Sequence, residues 1–260
     1  MEFLYNIPML KLHFGLGNAK LSAAIATFAL PAGSACPFAN ECKSESDRFT
    51  GKIKDGPNCR FRCFSATNEA RATTVRAARW RNFELLQKAK TVQGMADLIQ
   101  NSIPFGVNYV RLHVSGDFFN ETYFKAWVNV AINNPAITFY AYTKSLGFWI
   151  KHRKSLPSNF RLTASKGGLL DDLIAKHNLP YAEVVFSTEE ARRKGLEIDH
   201  DDSHAIKADK AFALLLHATQ PVGSVANEAW KVIMRTIGGY DRKRKRGGAL
   251  PAKSVKLALK

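Results

Sequence analysis

Four cysteines are the residues of this sequence best suited to carry chemistry. Cys36, Cys42, Cys59 and Cys63 lie within 28 residues of one another, and the 260-residue chain contains no other cysteine. The spacing is Cys-x5-Cys, a gap of sixteen residues, and then Cys-x3-Cys. Thiolate sulfur is a strong ligand for zinc and iron, so this grouping predicts a metal centre.

Three kinds of cysteine site compete. Disulfide bonds are disfavoured because residues 1–13 do not have the pattern of a secretory signal, so we expect a reducing compartment, and because the chain is long enough to bury its own core. Structural zinc sites prefer Cys-x2-Cys pairs, and neither pair has that spacing. Iron–sulfur sites accept more varied spacing, because a cubane offers four separate iron corners, and Pro37, Phe38, Phe61 and Phe64 would shield it from water. We therefore predict an iron–sulfur cluster of the [4Fe-4S] type, with zinc as the alternative.

The elements that must position these cysteines follow an alternating pattern. Five short apolar runs rich in β-formers, each followed by a polar turn, occur at residues 109–114, 137–142, 160–164, 182–186 and 212–216. Segments with helical spacing separate most of them. This alternation predicts parallel strands joined by crossover helices. We expect an α/β fold with a partial or full (β/α) barrel, and an open doubly wound sheet is the alternative.

The chain divides into three predicted regions. Residues 1–67 form an N-terminal cysteine-rich metal-binding segment, irregular apart from short β-like pieces. Residues 68–239 form the barrel-like core, which starts with a helical stretch over residues 68–103 that Gly94 is expected to break. Residues 240–260 form a basic C-terminal tail.

Polar residues after the predicted strands are candidate ligand-binding groups. In barrel-like folds the chemistry gathers at the C-terminal ends of the strands. Ser115 and Asp117 follow the first of the five runs, Lys144 the second and Lys166 the third. Two lysines beside hydroxyl groups suit a small anionic ligand or cofactor. The alternative is that Ser115, Asp117, Thr143 and Ser187 cap helices and that the lysines are solvated.

A run of acidic residues and histidines at residues 199–204 is a weaker candidate. Such a run could bind a divalent metal, but it is more often an acidic surface loop. The sequence contains no Walker loop, no His-Glu-x-x-His motif and no Gly-x-Ser-x-Gly elbow.

The charge of the chain points to a polyanionic partner. The formal net charge is +16, and residues 240–260 contain eight Lys or Arg and one acid. This tail predicts nucleic-acid binding through phosphates, with a solubilising end as the alternative. No apolar run approaches the roughly 20 residues that span a bilayer, so we expect no membrane association. We expect a cytoplasmic protein, in the host cell cytoplasm if it is viral.

Three stretches of sequence resemble a known family. They are the run FALPAGSACP at residues 28–37, CRFRC at residues 59–63 and RLHVSGDF at residues 111–118. Together they resemble a group of bacteriophage proteins called gene product eighty-eight, over roughly residues 10–237. The resemblance implies a viral origin.

A wider resemblance is to radical S-adenosylmethionine enzymes, which are partial (β/α) barrels with a four-iron cluster on an N-terminal loop. Cys59 and Cys63 match the first two positions of their Cys-x3-Cys-x2-Cys signature, and the third position falls on Ala66. The resemblance implies S-adenosylmethionine as a cofactor, although a cluster closed by four thiolates has no open iron to bind it. The sequence thus predicts an iron–sulfur protein with a redox or radical role, or alternatively a nucleic-acid-binding protein with a structural zinc site.

Overall fold

One mostly parallel sheet organises the chain. The computed structural model describes residues 10–17, 21–22 and 24–237. The strands are β1 (Phe14–Leu16), β2 (Ile25–Ala29), β3 (Ser44–Ser46), β4 (Ile53–Asp55), β5 (Tyr109–Ser115), β6 (Thr138–Thr143), β7 (Phe160–Ser165), β8 (Tyr181–Val185) and β9 (Phe212–Leu215). The helices are α1 (Phe64–Arg71), α2 (Thr73–Ala89), α3 (Val92–Gln100), α4 (Glu121–Asn133), α5 (Leu146–His152), α6 (Asp172–Lys176), α7 (Thr188–Arg193), α8 (Ser203–Lys207) and α9 (Val225–Thr236). The predicted α/β class is confirmed.

The order of the strands in the sheet follows their order in the chain. The seven-stranded sheet has the order β1-β2-β5-β6-β7-β8-β9, in which β1 is antiparallel to β2 and the other pairs are parallel. In a doubly wound sheet the strand order reverses at a switch point, and this sheet has no such reversal. Among the described strands no pairing joins β1 to β9, so the sheet is open there and no full barrel is closed.

Helices α2 to α6 pack on one face of the sheet. Leu112, Phe139 and Leu162, from three neighbouring strands, pack in one buried cluster with Leu86 of α2 and Trp127 of α4. Right-handed crossovers between strands that advance steadily across a sheet place their helices on a single face. Burial of each such side chain contributes about 1.5–3 kcal/mol.

The opposite face carries a polar network beneath a short helix. Asp202, which immediately precedes α8, forms an ion pair with Arg111 of β5 at 2.6 Å, and the hydroxyl of Tyr142 donates to Asp202 at 3.2 Å. Asp199 and Asp202 are fully buried. The acidic run at residues 199–204 is therefore built into the fold and is not a loop exposed throughout.

Residues 30–63 connect β2 to α1 and contain all four cysteines; we call them the cysteine segment. Within it β3 and β4 form a small antiparallel hairpin, which the sequence did not indicate because its strands are three residues long and mostly polar. β1 and β2, which precede the cysteine segment, belong to the same sheet as β5. The basic tail at residues 240–260 lies outside the described residues.

The predicted helical stretch over residues 68–103 is divided earlier than expected. α2 ends at Ala89, and Lys90 adopts a positive φ of 56°. The hydroxyl of Thr91 then caps α3 by accepting from the backbone N–H of Gly94 at 3.0 Å. Gly94 thus lies in the first turn of α3, and the predicted break at this glycine is wrong because a threonine cap decides where α3 begins.

No helix in the described ranges is both long and apolar enough to cross a membrane.

A β-bulge in β5 re-aims the end of that strand. Between Thr27 and Ala29 the strand β2 advances two residues while β5 advances four, from Arg111 to Ser115. The bulge contains His113, which has a positive φ of 56° and is buried. Its Nε2 lies 3.1 Å from the Tyr123 hydroxyl, and burial lowers the pKa of His113 to about 3 from 6.5.

The buried His113 predicts a loss of stability in acid. Below pH 6.5 the unfolded chain takes up a proton on this histidine while the folded chain does not, until the pH approaches about 3. The free energy of unfolding should fall by about 1.4 kcal/mol per pH unit through this group alone. We expect His113→Asn, which tolerates positive φ, to remove that share of the slope in urea unfolding curves measured at about pH 7 and about pH 5. Equal slopes for both proteins would contradict this assignment.

Candidate metal centre

All four predicted ligands lie in the cysteine segment. Cys36, Cys42, Cys59 and Cys63 are free cysteines of intermediate exposure. Cys63 directly precedes α1, so its side chain lies at the start of that helix. No disulfide joins these four residues.

The thiol groups are close enough to influence one another. Burial raises the pKa of Cys36 well above its usual value, and the nearby charges of Asp117, Cys63 and Cys42 raise it further. Burial also raises the pKa of Cys63 to about 11, with a further contribution from Cys42, and raises the pKa of Cys59. Cys42 therefore has all three other cysteines as electrostatic neighbours.

The described residues do not form a ready-made site for a single ion. Nowhere in ranges 10–17, 21–22 and 24–237 do three His, Cys, Asp or Glu side chains group so that they could hold a metal ion. The four cysteines are thus neighbours, but their side chains do not surround a common metal position.

The cysteine segment is fixed to the C-terminal edge of the parallel strands, first at β5. The backbone N–H of Leu30 donates to the Ser115 carbonyl at 2.9 Å, and that of Asp117 donates to the Ala35 carbonyl at 3.0 Å. Gly116, between them, has a φ of +82°, and a Cβ there would lie 2.6 Å from Leu30 Cβ. A glycine is needed at this position because the backbone of Gly116 passes directly against Leu30.

A second attachment lies at the end of β7. The backbone N–H groups of Asn40 and Glu41 both donate to the Gly167 carbonyl, at 3.3 and 3.0 Å, and that of Leu169 donates to the Phe38 carbonyl at 2.9 Å. The Phe38 ring also packs edge-on against Phe148 of α5, with a centroid separation of 5.6 Å.

The last attachments lie at the ends of β8 and β9. Arg60 donates to the Val184 carbonyl at 3.2 Å, while its guanidinium lies 4.9 Å from the centre of the Phe186 ring. The Arg62 backbone exchanges two hydrogen bonds with the Gln220 side chain, at 2.7 and 3.1 Å. The cysteine segment therefore contacts the end of β5, the turn after β7, β8, and Gln220 in the loop after β9, and it lies across this edge of the sheet.

One buried carboxylate ties the cysteine segment to α1, α2 and β5. Oε1 of Glu69 accepts from the Ala32 backbone N–H at 2.9 Å, from Arg79 at 2.7 Å and from the Ser115 hydroxyl at 3.3 Å. Glu69 is fully buried and Arg79 nearly so. Its Oε2 has no hydrogen-bond partner among the described residues. No sequence pattern points to Glu69, because an inward-facing glutamate on a polar helix looks like a solvated one.

The four predicted ligand-binding residues occupy different environments. Asp117 is buried and accepts from the Thr143 hydroxyl at 2.6 Å and from the Lys144 backbone N–H at 2.8 Å. The ammonium of Lys144 donates to the Ser165 carbonyl at 2.7 Å, the Ser165 hydroxyl at 2.8 Å and the Lys166 carbonyl at 3.0 Å. These contacts fasten neighbouring strand ends together.

Lys166 differs from the other three because its side chain is 43% exposed, whereas Ser115, Asp117 and Lys144 are buried. Helix capping, the alternative interpretation of these polar turns, holds for Ser187, whose hydroxyl accepts from the Glu190 backbone N–H at 3.0 Å. It does not hold for Ser115 or Asp117, which bond instead to Glu69 and to the β6 turn.

Comparison with known proteins places the chain in a family. The profile of a family described as Gene product 88 matches residues 9–235. The chain belongs to the gene product 88 family. A curated relative, the "Gene 88 protein" of Mycobacterium phage L5, is 28% identical over 138 residues, which cover 49% of this chain and 51% of that protein. The matched region is therefore only about half the length of that relative.

No solved structure matches the chain. The predicted membership in this phage protein family is confirmed. The wider resemblance to radical S-adenosylmethionine enzymes stays a prediction.

The contact at Gly116 predicts a large effect of one methyl group. Gly116→Ala should lower the free energy of unfolding by about 1–2 kcal/mol for the left-handed backbone and by a further about 1–3 kcal/mol for the overlap with Leu30. Gly106→Ala is the matched control, since Gly106 has a φ of +78° and no atom within 4 Å of its added Cβ. Chemical unfolding of both variants measures the difference, and equal losses would show that the Leu30 contact is not tight.

Proposed function

We propose that this chain is a phage iron–sulfur protein whose cluster, of the [4Fe-4S] type, is held by Cys36, Cys42, Cys59 and Cys63. The observation that carries the proposal is the placement of four free thiols on one segment that lies across the C-terminal edge of the sheet. A segment fixed at four places along this edge is preorganised to present several ligands at once.

A polynuclear cluster suits these cysteines better than a single ion does. In a zinc site four sulfurs surround one atom at about 2.3 Å, a geometry that tight Cys-x2-Cys turns favour. In a cubane each thiolate binds its own iron corner, so the sulfurs stand farther apart. The spacing of the four cysteines, which lacks Cys-x2-Cys pairs, favours the same choice.

The surroundings of two cysteines support thiolate ligation. At Cys63 the backbone N–H groups of Ser65 and Ala66 and the charge of Arg79 oppose the rise in pKa caused by burial. At Cys36 the backbone of Gly33 acts in the same direction. Amide groups directed at cluster sulfurs also tune the reduction potential. Bound iron would supply the positive charge that these partly buried thiolates otherwise lack.

The role that fits best is electron transfer or redox sensing. With four cysteine ligands no iron is open, so S-adenosylmethionine could bind only if one thiolate left the cluster. The steady strand order, with the cysteine segment following the first parallel strand, supports a partial (β/α) barrel like that of radical enzymes. A radical role that uses S-adenosylmethionine is therefore a more specific version of this proposal. The spectrum described next distinguishes it from electron transfer or redox sensing.

Anaerobic purification tests the cluster. We expect a brown protein with about four iron and four sulfide per chain, whose visible absorbance is bleached by dithionite. Each Cys→Ser variant should lose most of that absorbance, whereas Ser34→Ala, an exposed change in the same segment, should keep it. A spectral shift on adding S-adenosylmethionine would indicate an open iron, and an unchanged spectrum a closed cluster. Stoichiometric zinc without visible absorbance would refute the proposal.

Nucleic-acid binding is a second candidate function, and the net charge of +16 favours it. Residues 240–260 carry eight Lys or Arg against one acid, and such a tail binds phosphates without reading sequence. Deleting these residues should weaken binding to a mixed-sequence DNA duplex by at least about tenfold at low salt and should flatten the dependence of log K on log salt. Affinity and salt slope equal to those of the full chain would exclude the tail as the binding element.

A further inference from the structure

A small pocket opens beside the cysteines, between the cysteine segment and the ends of β7 and β8. Its volume is about 230 Å³, below the roughly 300–1,000 Å³ of typical ligand sites. The cysteine segment contributes three lining residues, Glu41, Arg60 and Phe61, and the chain after β7 and in β8 contributes five, Lys166, Gly167, Asp171, Glu183 and Val184. The Asp171 carboxylate is already held by the backbone N–H groups of Gly167 and Gly168. Glu41 and Arg60 are next to Cys42 and Cys59 in the chain, so an occupant would lie beside the proposed cluster.

The pocket offers a cation with binding capacity left. The Lys166 ammonium contacts Glu183 at 3.0 Å and lies 5.4 Å from the centre of the Tyr181 ring. An ammonium has three protons, and one carboxylate uses one of them. Glu183 is in addition held by Lys194, so it would stay neutralised if Lys166 turned to a ligand.

The pocket also offers a carboxylate that is loosely held. The Glu41 carboxylate meets Arg60 at 3.5 Å, which is longer than a direct hydrogen bond, and its side chain is 37% exposed. Arg60 is in turn anchored by the Val184 carbonyl and the Phe186 ring. Glu41 can therefore accept a ligand cation without breaking a buried ion pair.

We propose that this pocket binds the α-amino-acid group of a small zwitterion, with its ammonium on Glu41 and its carboxylate on Lys166. Phe61 and Val184 supply the apolar part of the lining, so the ligand carries an apolar side chain. The sequence predicted an anionic ligand near Lys166, and the carboxylates of the pocket change that to a ligand with both charges. The inference goes beyond the cluster, since none of the residues that line the pocket is a cysteine.

Calorimetry with matched ligands tests the assignment. The probes are L-leucine, L-methionine and L-phenylalanine, together with isoamylamine and 4-methylpentanoate, which each keep one charge of leucine. At least one amino acid should bind the anaerobically purified full chain with a Kd below about 1 mM. For leucine, each single-charge analogue should bind at least about tenfold more weakly, because it loses one charge-assisted hydrogen bond.

Three variants locate the two charges. Glu41→Gln should weaken amino-acid binding by about tenfold or more and leave 4-methylpentanoate unchanged, and Lys166→Gln should spare isoamylamine instead. Lys210→Gln is the control, because Lys210 pairs with the exposed Glu197 and neither residue lines the pocket. Melting curves confirm that each variant is folded.

Two results would overturn the inference. The first is that none of the three amino acids binds at about 10 mM, a concentration far above the expected Kd. The second is that a single-charge analogue binds as tightly as leucine. Iron is measured on the same sample. Amino-acid binding by a protein without iron would therefore refute the cluster and leave this pocket standing.

Discussion

The arrangement of the candidate metal centre depends on one buried carboxylate oxygen. Oε1 of Glu69 joins the backbone of Ala32 in the cysteine segment to Arg79 of α2 and to Ser115 at the end of β5. Taking a carboxylate out of water costs several kcal/mol unless it is paired and hydrogen-bonded, and here one oxygen receives all three partners. Removing either member of such a pair typically costs about 3–5 kcal/mol, because the other charge stays buried alone. The start of the cysteine segment is therefore held by the buried Glu69–Arg79 pair, and replacing either residue alone should destabilise it.

A long irregular segment needs many attachments to keep one shape. Ordering a residue costs roughly 1–2 kcal/mol of backbone entropy, and the cysteine segment has only the small β3–β4 hairpin as regular structure of its own. Its attachments are spread over the whole C-terminal edge, from Leu30 against Gly116 to Arg62 against Gln220. The positions of the cysteines on this segment are therefore set by the sheet edge on which it lies. The same edge in other α/β proteins is where ligands bind.

The sequence was informative where one short-range pattern decides the structure. Apolar runs followed by polar turns predicted the parallel strands β5 to β9, and the grouping of Cys36 to Cys63 predicted their common segment. The bulge at His113, the hairpin and the break at Lys90 were not predictable, since each depends on a local cap or on packing against distant residues. The same holds for Glu69 and Glu41, whose roles come from partners far along the chain. Lys144 and Lys166 look alike in the sequence, since each follows a strand, yet the ammonium of Lys144 is buried and joins strand ends.

The order of the elements along the chain has a consequence for synthesis. The cysteine segment leaves the ribosome before any of the five strands from β5 to β9, on whose ends it rests. The contact between Arg62 and Gln220 spans 158 residues, so the segment cannot settle until nearly all of the described chain has emerged. Until then the segment that carries the four thiols lacks its attachments to Gly167, Val184 and Gln220. Closure over the sheet would be among the last steps of folding.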